Sequence, residues 1–278
     1  MVRGGKRRTA AVALQRTEVL VYRIIDTHAH LDELDDVDLM LDEARESGVA
    51  AVIAVGSDYG SNVKVMEISQ RRPGLVYPAL GLHPCELGNL LPVQVERNLR
   101  FIDEHLSVAV AVGEVGLDYD KRVLRLASRE LQREVFGHLL RLAKKHGRPV
   151  SIHSRYAWKD ALQMVRDAGV DKAVFHWFTG FSSVLKAIVE EGYCVSATPA
   201  AEYHEEHRRA VREVPLNRLL LETDCPVTYG REIRYMSRPA DLRRSLRAAA
   251  ELRQVDEALI AEQTTRNAID VFSLDMVI

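Results

Sequence analysis

From residue 19 onward the chain alternates between two patterns of hydrophobic positions. Short apolar, β-branched runs occupy residues 19–25, 50–55, 75–80, 108–112, 149–152, 172–175, 193–196 and 218–221. Between and after them lie stretches whose apolar positions recur at helical spacing: 37–47, 59–71, 92–105, 128–146, 157–168, 182–191, 201–213 and 241–252. Strand and helix taking turns predicts parallel strands joined by crossover helices. Eight such pairs suit an α/β fold of the (β/α)8 TIM barrel type, a single domain over residues 19–278. Two further short helical stretches, 256–262 and 264–271, are expected to cover the outside of the barrel as extra C-terminal helices. An open doubly wound sheet is the competing arrangement, but no glycine-rich phosphate loop follows the first strand.

Composition narrows the function classes. A length of 278 residues suits one barrel domain, and 47% hydrophobic residues supply a full core. The net charge of −2 exerts no general pull on nucleic acid or anionic membrane, so a polyanion has to be held by a local patch. Cys85, Cys194 and Cys225 lack metal-binding spacing and read as reduced thiols, buried in the core of a cytoplasmic protein. No apolar run reaches the ~18–20 residues of a membrane helix. Residues 1–18 stand apart, because Arg3, Lys6, Arg7, Arg8 and Arg16 are opposed only by Glu18. They read as a basic, disordered N-terminal extension; an Arg-rich targeting peptide and a basic arm for a polyanion are the alternatives.

Acid and imidazole side chains collect where the apolar runs end. His28 and His30 close the first run within Asp26-Thr27-His28-Ala29-His30, and residues at i and i+2 on a strand point the same way. His83 ends the third run, Glu114 the fourth, His153 the fifth, His176 the sixth and Asp224 the eighth. In a barrel all of these lie at the C-terminal mouth, where barrel enzymes keep their chemistry. His28, His30, Glu114, His153, His176 and Asp224 are too many ligands for one tetrahedral ion that also holds a water. Two divalent ions sharing a carboxylate fit better, with His28, His30 and Asp224 on one, His153 and His176 on the other, and Glu114 bridging. Mixed imidazole and carboxylate ligands suit Zn²⁺, Mn²⁺ or Fe²⁺, with Mg²⁺ tolerated where oxygens supply most of the shell. Such a pair acidifies a bridging water and neutralises an oxyanion, which is equipment for hydrolysis. No lysine lies between residues 107 and 120, which counts against a carboxylated-lysine bridge. His105, His138, His146, His204 and His207 fall in helical stretches and are expected to face solvent.

Several motifs in order resemble the TatD-type metal-dependent deoxyribonucleases of the amidohydrolase-like barrels. They are Asp26-Thr27-His28-Ala29-His30-Leu31-Asp32, Gly81-Leu82-His83-Pro84, Gly113-Glu114-Val115-Gly116-Leu117-Asp118-Tyr119, Gln132-Arg133-Glu134-Val135-Phe136, Ile152-His153-Ser154-Arg155, His176-Trp177-Phe178-Thr179-Gly180 and Glu222-Thr223-Asp224-Cys225-Pro226. The resemblance covers residues 24–274. It implies that His28, His30, Glu114, His153, His176 and Asp224 are the metal ligands, and that the chain cleaves DNA phosphodiesters with Mg²⁺, often as a 3′→5′ exonuclease. Residues 119–124, 197–200 and 227–235 depart from the family pattern, and as substrate-facing loops they bear on substrate choice.

The expected roles follow. Asp224 takes the proton of the attacking water, His83 binds or protonates a phosphate oxygen, and Glu114 bridges the ions. Arg155 clamps a phosphate, Tyr119 lies on the substrate side, and Glu222 orients a ligand histidine. Arg231, Arg234 and Arg238 alternate with Tyr229 and Tyr235 in a manner that suits a single-strand binding lip, with Lys121, Arg122 and Arg125 as its opposite side. The substrate expected is DNA, single-stranded or at 3′ ends; a small phosphoester, amide or lactone is the alternative.

Overall fold

Eight parallel strands pair in chain order in the computed structural model, which describes residues 22–276. They are β1 (Ile24–Ala29), β2 (Val49–Val55), β3 (Val76–Leu80), β4 (Ala111–Gly116), β5 (Val150–His153), β6 (Ala173–Phe175), β7 (Cys194–Ala197) and β8 (Leu219–Leu221). Helices α1 (Val37–Glu46), α2 (Tyr59–Arg71), α3 (Pro92–His105), α4 (Lys121–Leu124), α5 (Arg129–His146), α6 (Trp158–Ala168), α7 (Ser182–Glu190) and α8 (Glu205–Glu213) run between them. A two-stranded hairpin of β9 (Thr228–Tyr229) and β10 (Tyr235–Met236) follows, then α9 (Leu242–Arg253) and α10 (Glu257–Phe272). Among the described residues no helix is long and apolar enough to cross a membrane.

The sheet curls until β8 returns to β1, and the seam is closed beyond the strand ladder. Thr27 Oγ1 donates to the Leu221 carbonyl at 3.0 Å, and the Asp224 N–H donates to the His28 carbonyl at 2.9 Å. The His30 N–H donates to the Cys225 carbonyl at 2.8 Å. Inside the barrel, Ile25, Ile53, Ala79, Ala111, Val174 and Leu220 pack with Val271 and Phe272 of α10. Thr265 bonds the carbonyl of Arg23 just before β1, and Asn267 bonds that of Leu219 at the start of β8. Helix α10 therefore plugs the N-terminal end of the barrel, and the C-terminal mouth is where a ligand can enter.

Four sequence expectations change. The first strand is Ile24–Ala29 rather than 19–25, so Asp26, Thr27 and His28 lie within it; Val19, Leu20 and Val21 fall outside the described residues, as does the 1–18 extension. The fourth is likewise displaced toward its polar end, as Ala111–Gly116. Polar residues look like strand breakers in sequence, but here each finds a partner: Asp26 accepts from the Thr223 N–H at 2.9 Å and hydroxyl at 2.5 Å. The two short C-terminal helices are one, and it closes the barrel floor instead of its flank. The stretch 201–213 divides into a 3-10 turn at Pro199–Glu202 and α8.

His207 is also not solvated. Its ring is fully buried, with Nδ1 3.1 Å from the Phe178 carbonyl and Nε2 accepting the Thr198 N–H at 3.0 Å. These bonds tie the loop after β6 to the loop after β7. Burial pushes the imidazole down to about 4 from its ordinary 6.5. The unfolded chain thus takes up this proton first, so stability is unaffected above pH 6.5 and falls as the pH drops from there toward 4. At about 1.4 kcal/mol per unit the full loss is roughly 3 kcal/mol. His207→Gln is expected to flatten the decline of unfolding free energy measured by urea denaturation across that window. Parallel pH slopes for the two proteins would show that His207 is not held neutral.

Candidate metal centre

Each polar residue at the mouth is aimed by a local feature of its strand. His28 lies one residue before the end of β1, and its Nδ1 meets Ser151 Oγ at 3.1 Å, which turns Nε2 toward the barrel axis. Asp224 follows β8 in a left-handed conformation, φ +49°, which aspartate tolerates better than most side chains. Glu114 sits within β4, pressed against the end of β3. A Cβ on Gly81 would fall 2.3 Å from the Glu114 carbonyl oxygen, so only glycine allows this approach. His153 is the last residue of β5, and His176 comes directly after β6. Glu222 Oε1 stands 3.4 Å from His176 Nδ1 and accepts the Trp177 N–H at 3.0 Å.

Five imidazoles surround the buried Glu114 carboxylate. His176 Nε2 lies 2.8 Å from Oε1, His153 Nδ1 3.0 Å and His83 Nε2 3.4 Å. Oε2 instead faces His30 Nε2 at 3.2 Å and His28 Nε2 at 3.3 Å. Asp224 Oδ1 approaches the same two rings, at 3.5 Å from His30 and 3.6 Å from His28. The two oxygens of Glu114 thus sort the histidines into the two groups expected from the sequence, with His83 added. Among the described residues, three sets of side chains keep their donor atoms within 4.8 Å of one another: His28–His30–Asp224, His83–Glu114–His153 and His28–His176–Glu222.

These donors fit divalent cations. Nε2 of His28 is buried without a hydrogen-bond partner and faces two carboxylates, an arrangement that a cation satisfies. Outer ring nitrogens are engaged elsewhere: His28 Nδ1 by Ser151 and His153 Nε2 by Asp118 Oδ2 at 2.9 Å. Burial alone would raise Glu114, yet the imidazoles around it, His83 and His176 foremost, hold it well below the usual carboxylate range. Against burial, Asp224 and Glu114 lift His30 well above the ordinary imidazole value, and Glu114 and Glu222 do the same for His176. The carboxylates therefore set up a potential that favours positive charge.

The TatD-related DNase model matches residues 25–273. The chain belongs to the TatD-related DNase family. It is a TatD-type metal-dependent hydrolase, and its relatives cover nearly its whole described length. It is 31% identical to the human deoxyribonuclease TATDN3 over 262 residues, covering 90% of this chain and 94% of the relative. It is also 31% identical to YabD of Bacillus subtilis, an uncharacterized metal-dependent hydrolase, covering 91% of this chain and all of that protein. The crystal structure of YJJV, a TatD homologue from Escherichia coli K12, superposes with a TM-score of 0.82 at 27% identity, covering 92% of this chain and all of that one.

Within this TatD centre His83 differs from the other histidines. Its Nδ1 accepts the Cys85 N–H at 3.1 Å, so the neutral ring carries its proton on Nε2, the atom that faces Glu114. Burial pushes its pKa below the ordinary imidazole value, which favours that neutral form. His83 is thereby equipped to donate a hydrogen bond rather than to ligate.

Other substrate-facing expectations are corrected. Arg155 lines the cleft, but its Nε and Nη2 are committed to Asp118 Oδ2 at 2.9 and 2.7 Å, so that edge is not available as a phosphate clamp. Tyr119 turns away, its hydroxyl donating to Asp160 Oδ2 at 2.7 Å. Arg231 is exposed, lies outside the cleft lining, and donates to the Tyr203 carbonyl at 2.7 Å; Arg234 is exposed and also outside the lining. Tyr229 is fully buried against Trp177, and Tyr235 packs on Arg244, so the hairpin offers no stacking lip. On the opposite side Lys121, Arg122 and Arg125 are exposed and lie outside the cleft lining, and Arg122 pairs with Asp120.

Sequence reasoning passed over Asp118, although it lies within one of the motifs. This buried carboxylate holds His153 and Arg155 together across β4 and β5. Its grip on His153 Nε2 leaves Nδ1 with a lone pair for the centre, the arrangement by which carboxylates tune ligand histidines. Asp118→Asn is expected to weaken divalent-metal affinity roughly 10–100-fold, read by calorimetric titration of the metal-stripped protein. Unchanged affinity would disconnect Asp118 from the centre.

Proposed function

We propose that this protein is a metal-dependent deoxyribonuclease that removes nucleotides from the 3′ end of single-stranded DNA in the cytoplasm. The observation that carries the reading is the division of five imidazoles between the two oxygens of Glu114, with a proton donor, His83, on the same carboxylate. His28, His30 and Asp224 would hold one divalent ion and His153 and His176 the other, with Glu114 shared. Mg²⁺ is the ion proposed for turnover, with Mn²⁺ or Zn²⁺ as substitutes. Bound there, two such ions supply the charge that acidifies a water and offsets the negative phosphoryl oxygens.

The chain's own groups do the rest. Asp224 directs Oδ1 at His28 and His30, which leaves Oδ2 to accept the proton of the attacking water. His83 Nε2–H donates to a phosphate oxygen and steadies the charge that develops on it. Glu222 faces the outer nitrogen of His176 at 3.4 Å, and Asp118 holds that of His153 at 2.9 Å. The DNA substrate is supported by the human relative, which is named a deoxyribonuclease. A small phosphoester, amide or lactone is the second reading, favoured by a cleft with more aromatic than basic walls.

The test is cleavage of a 5′-labelled single-stranded oligonucleotide by metal-stripped protein with Mg²⁺, Mn²⁺ or Zn²⁺ restored. A metal-dependent ladder that shortens from the 3′ end, absent in His153→Ala, is the expected result. Asp224→Asn should retain the fold and lose roughly 10²–10⁴-fold in kcat. Metal binding without DNA cleavage, together with turnover of lactones or small amides, would transfer the assignment to the second reading.

A further inference from the structure

The cleft of about 890 Å³ above the centre has one wall that the proposed mechanism leaves without a task. Tyr156, Trp158, Trp177 and Phe181 line it, together with the flanking Arg209. Tyr156 and Phe181, which both pack on Trp158, are each 61% exposed and leave apolar ring surface open at the cleft. Both stand nearly perpendicular to Trp158, at 73° with centroids 5.9 Å apart for Tyr156 and at 78° and 5.6 Å for Phe181.

The wall is built rather than incidental. A Cβ on Gly180 would lie 2.7 Å from Trp158 Cγ, so the indole seats itself only because that residue is glycine. Arg209 holds the Gly180 carbonyl from the other side. Tyr156 and Trp177 adopt left-handed backbone conformations, φ +59° and +38°, which such side chains rarely take. The Trp177 Nε1–H is buried and has no acceptor. The four aromatic residues come from the segments that follow β5 and β6, beside His153 and His176, whereas Arg209 reaches over from α8. The wall is therefore continuous with the half of the centre formed on Oε1 of Glu114.

Charge decides what such a wall can take. Arg155 is already paired with Asp118, Arg209 is turned to the Gly180 carbonyl, and Glu33 and Glu206 add negative charge to the same cleft. A polyphosphate track would need an excess of cations that is missing here. A flat, uncharged, π-faced group suits exposed aromatic rings, and sequence-tolerant stacking of this kind strengthens binding roughly 5- to 150-fold per base. We propose that Tyr156, Trp158 and Phe181 form the platform on which the base of the nucleotide being cleaved stacks, while its phosphate lies at the metal centre. The platform deepens the nuclease reading and rests on it.

The chain contains two tryptophans, Trp158 and Trp177, and both line this cleft, so selectively excited tryptophan fluorescence reports on it. The experiment titrates the protein, with Mg²⁺ present, with deoxyadenosine 5′-monophosphate and separately with deoxyribose 5-phosphate. Saturable quenching by the nucleotide at a Kd at least about tenfold lower than for the sugar phosphate is expected. Combined Tyr156→Ala and Phe181→Ala substitution, at exposed positions, should abolish that preference, and Tyr156→Phe with Phe181→Tyr should keep it. Equal affinity for the two probes, or a preference that survives the alanine variant, overturns the platform. An oligonucleotide left uncut by protein that still prefers the nucleotide would defeat the nuclease reading and leave the platform standing.

Discussion

A carboxylate with less than a twentieth of its surface exposed, encircled by imidazoles, is the constraint from which the rest of this molecule follows. Burying Glu114 in ionised form is costly unless compensating charge and hydrogen bonds surround it. The compensation comes from four other strands: β1, β3, β5 and β6 all deliver an imidazole, from the strand or the turn that adjoins it, to the Glu114 side chain of β4. That convergence requires a closed sheet, since an open one would spread these strand ends along an edge. It also gives a role to the bonds across the β1–β8 seam, which hold His28, His30 and Asp224 facing each other.

The outer shell of the site is as specific as the inner one. Ser151, Asp118 and Glu222 lie beside the second ring nitrogens of His28, His153 and His176, and Cys85 does so through its backbone for His83. The last case has the opposite sense. A backbone N–H donor leaves the inward nitrogen protonated, whereas a carboxylate acceptor leaves it with a lone pair. One local difference in partner thus separates a hydrogen-bond donor from prospective ligands among otherwise similar histidines.

Much of this was legible in the chain, and the failures share a physical cause. Alternating periodicity located all eight strands, because β-branched runs buried on both faces have few other homes. Spacing of histidines and acids at run ends placed the inner residues, since strand ends in a barrel share one rim. Boundaries slipped where buried polar residues such as Asp26 and Glu114 continue a strand, because their partners lie on other strands and leave no trace in local sequence. The same blindness hid Asp118, which works across β4 and β5, and His207, which is buried on a helix of polar appearance. Tyr229 misled in the reverse direction: in a loop rich in arginine it looks exposed, but the short hairpin folds it under Trp177.

Metal stoichiometry measured with the carboxylate hub intact and altered tests the central claim most directly. The metal-stripped protein would be titrated with Mn²⁺ or Zn²⁺, its bound metal counted after dialysis, beside Glu114→Gln. Two equivalents per chain in the native protein, with both weakened in the variant, is the result this account predicts. A single equivalent, or two that are indifferent to Glu114→Gln, would contradict it.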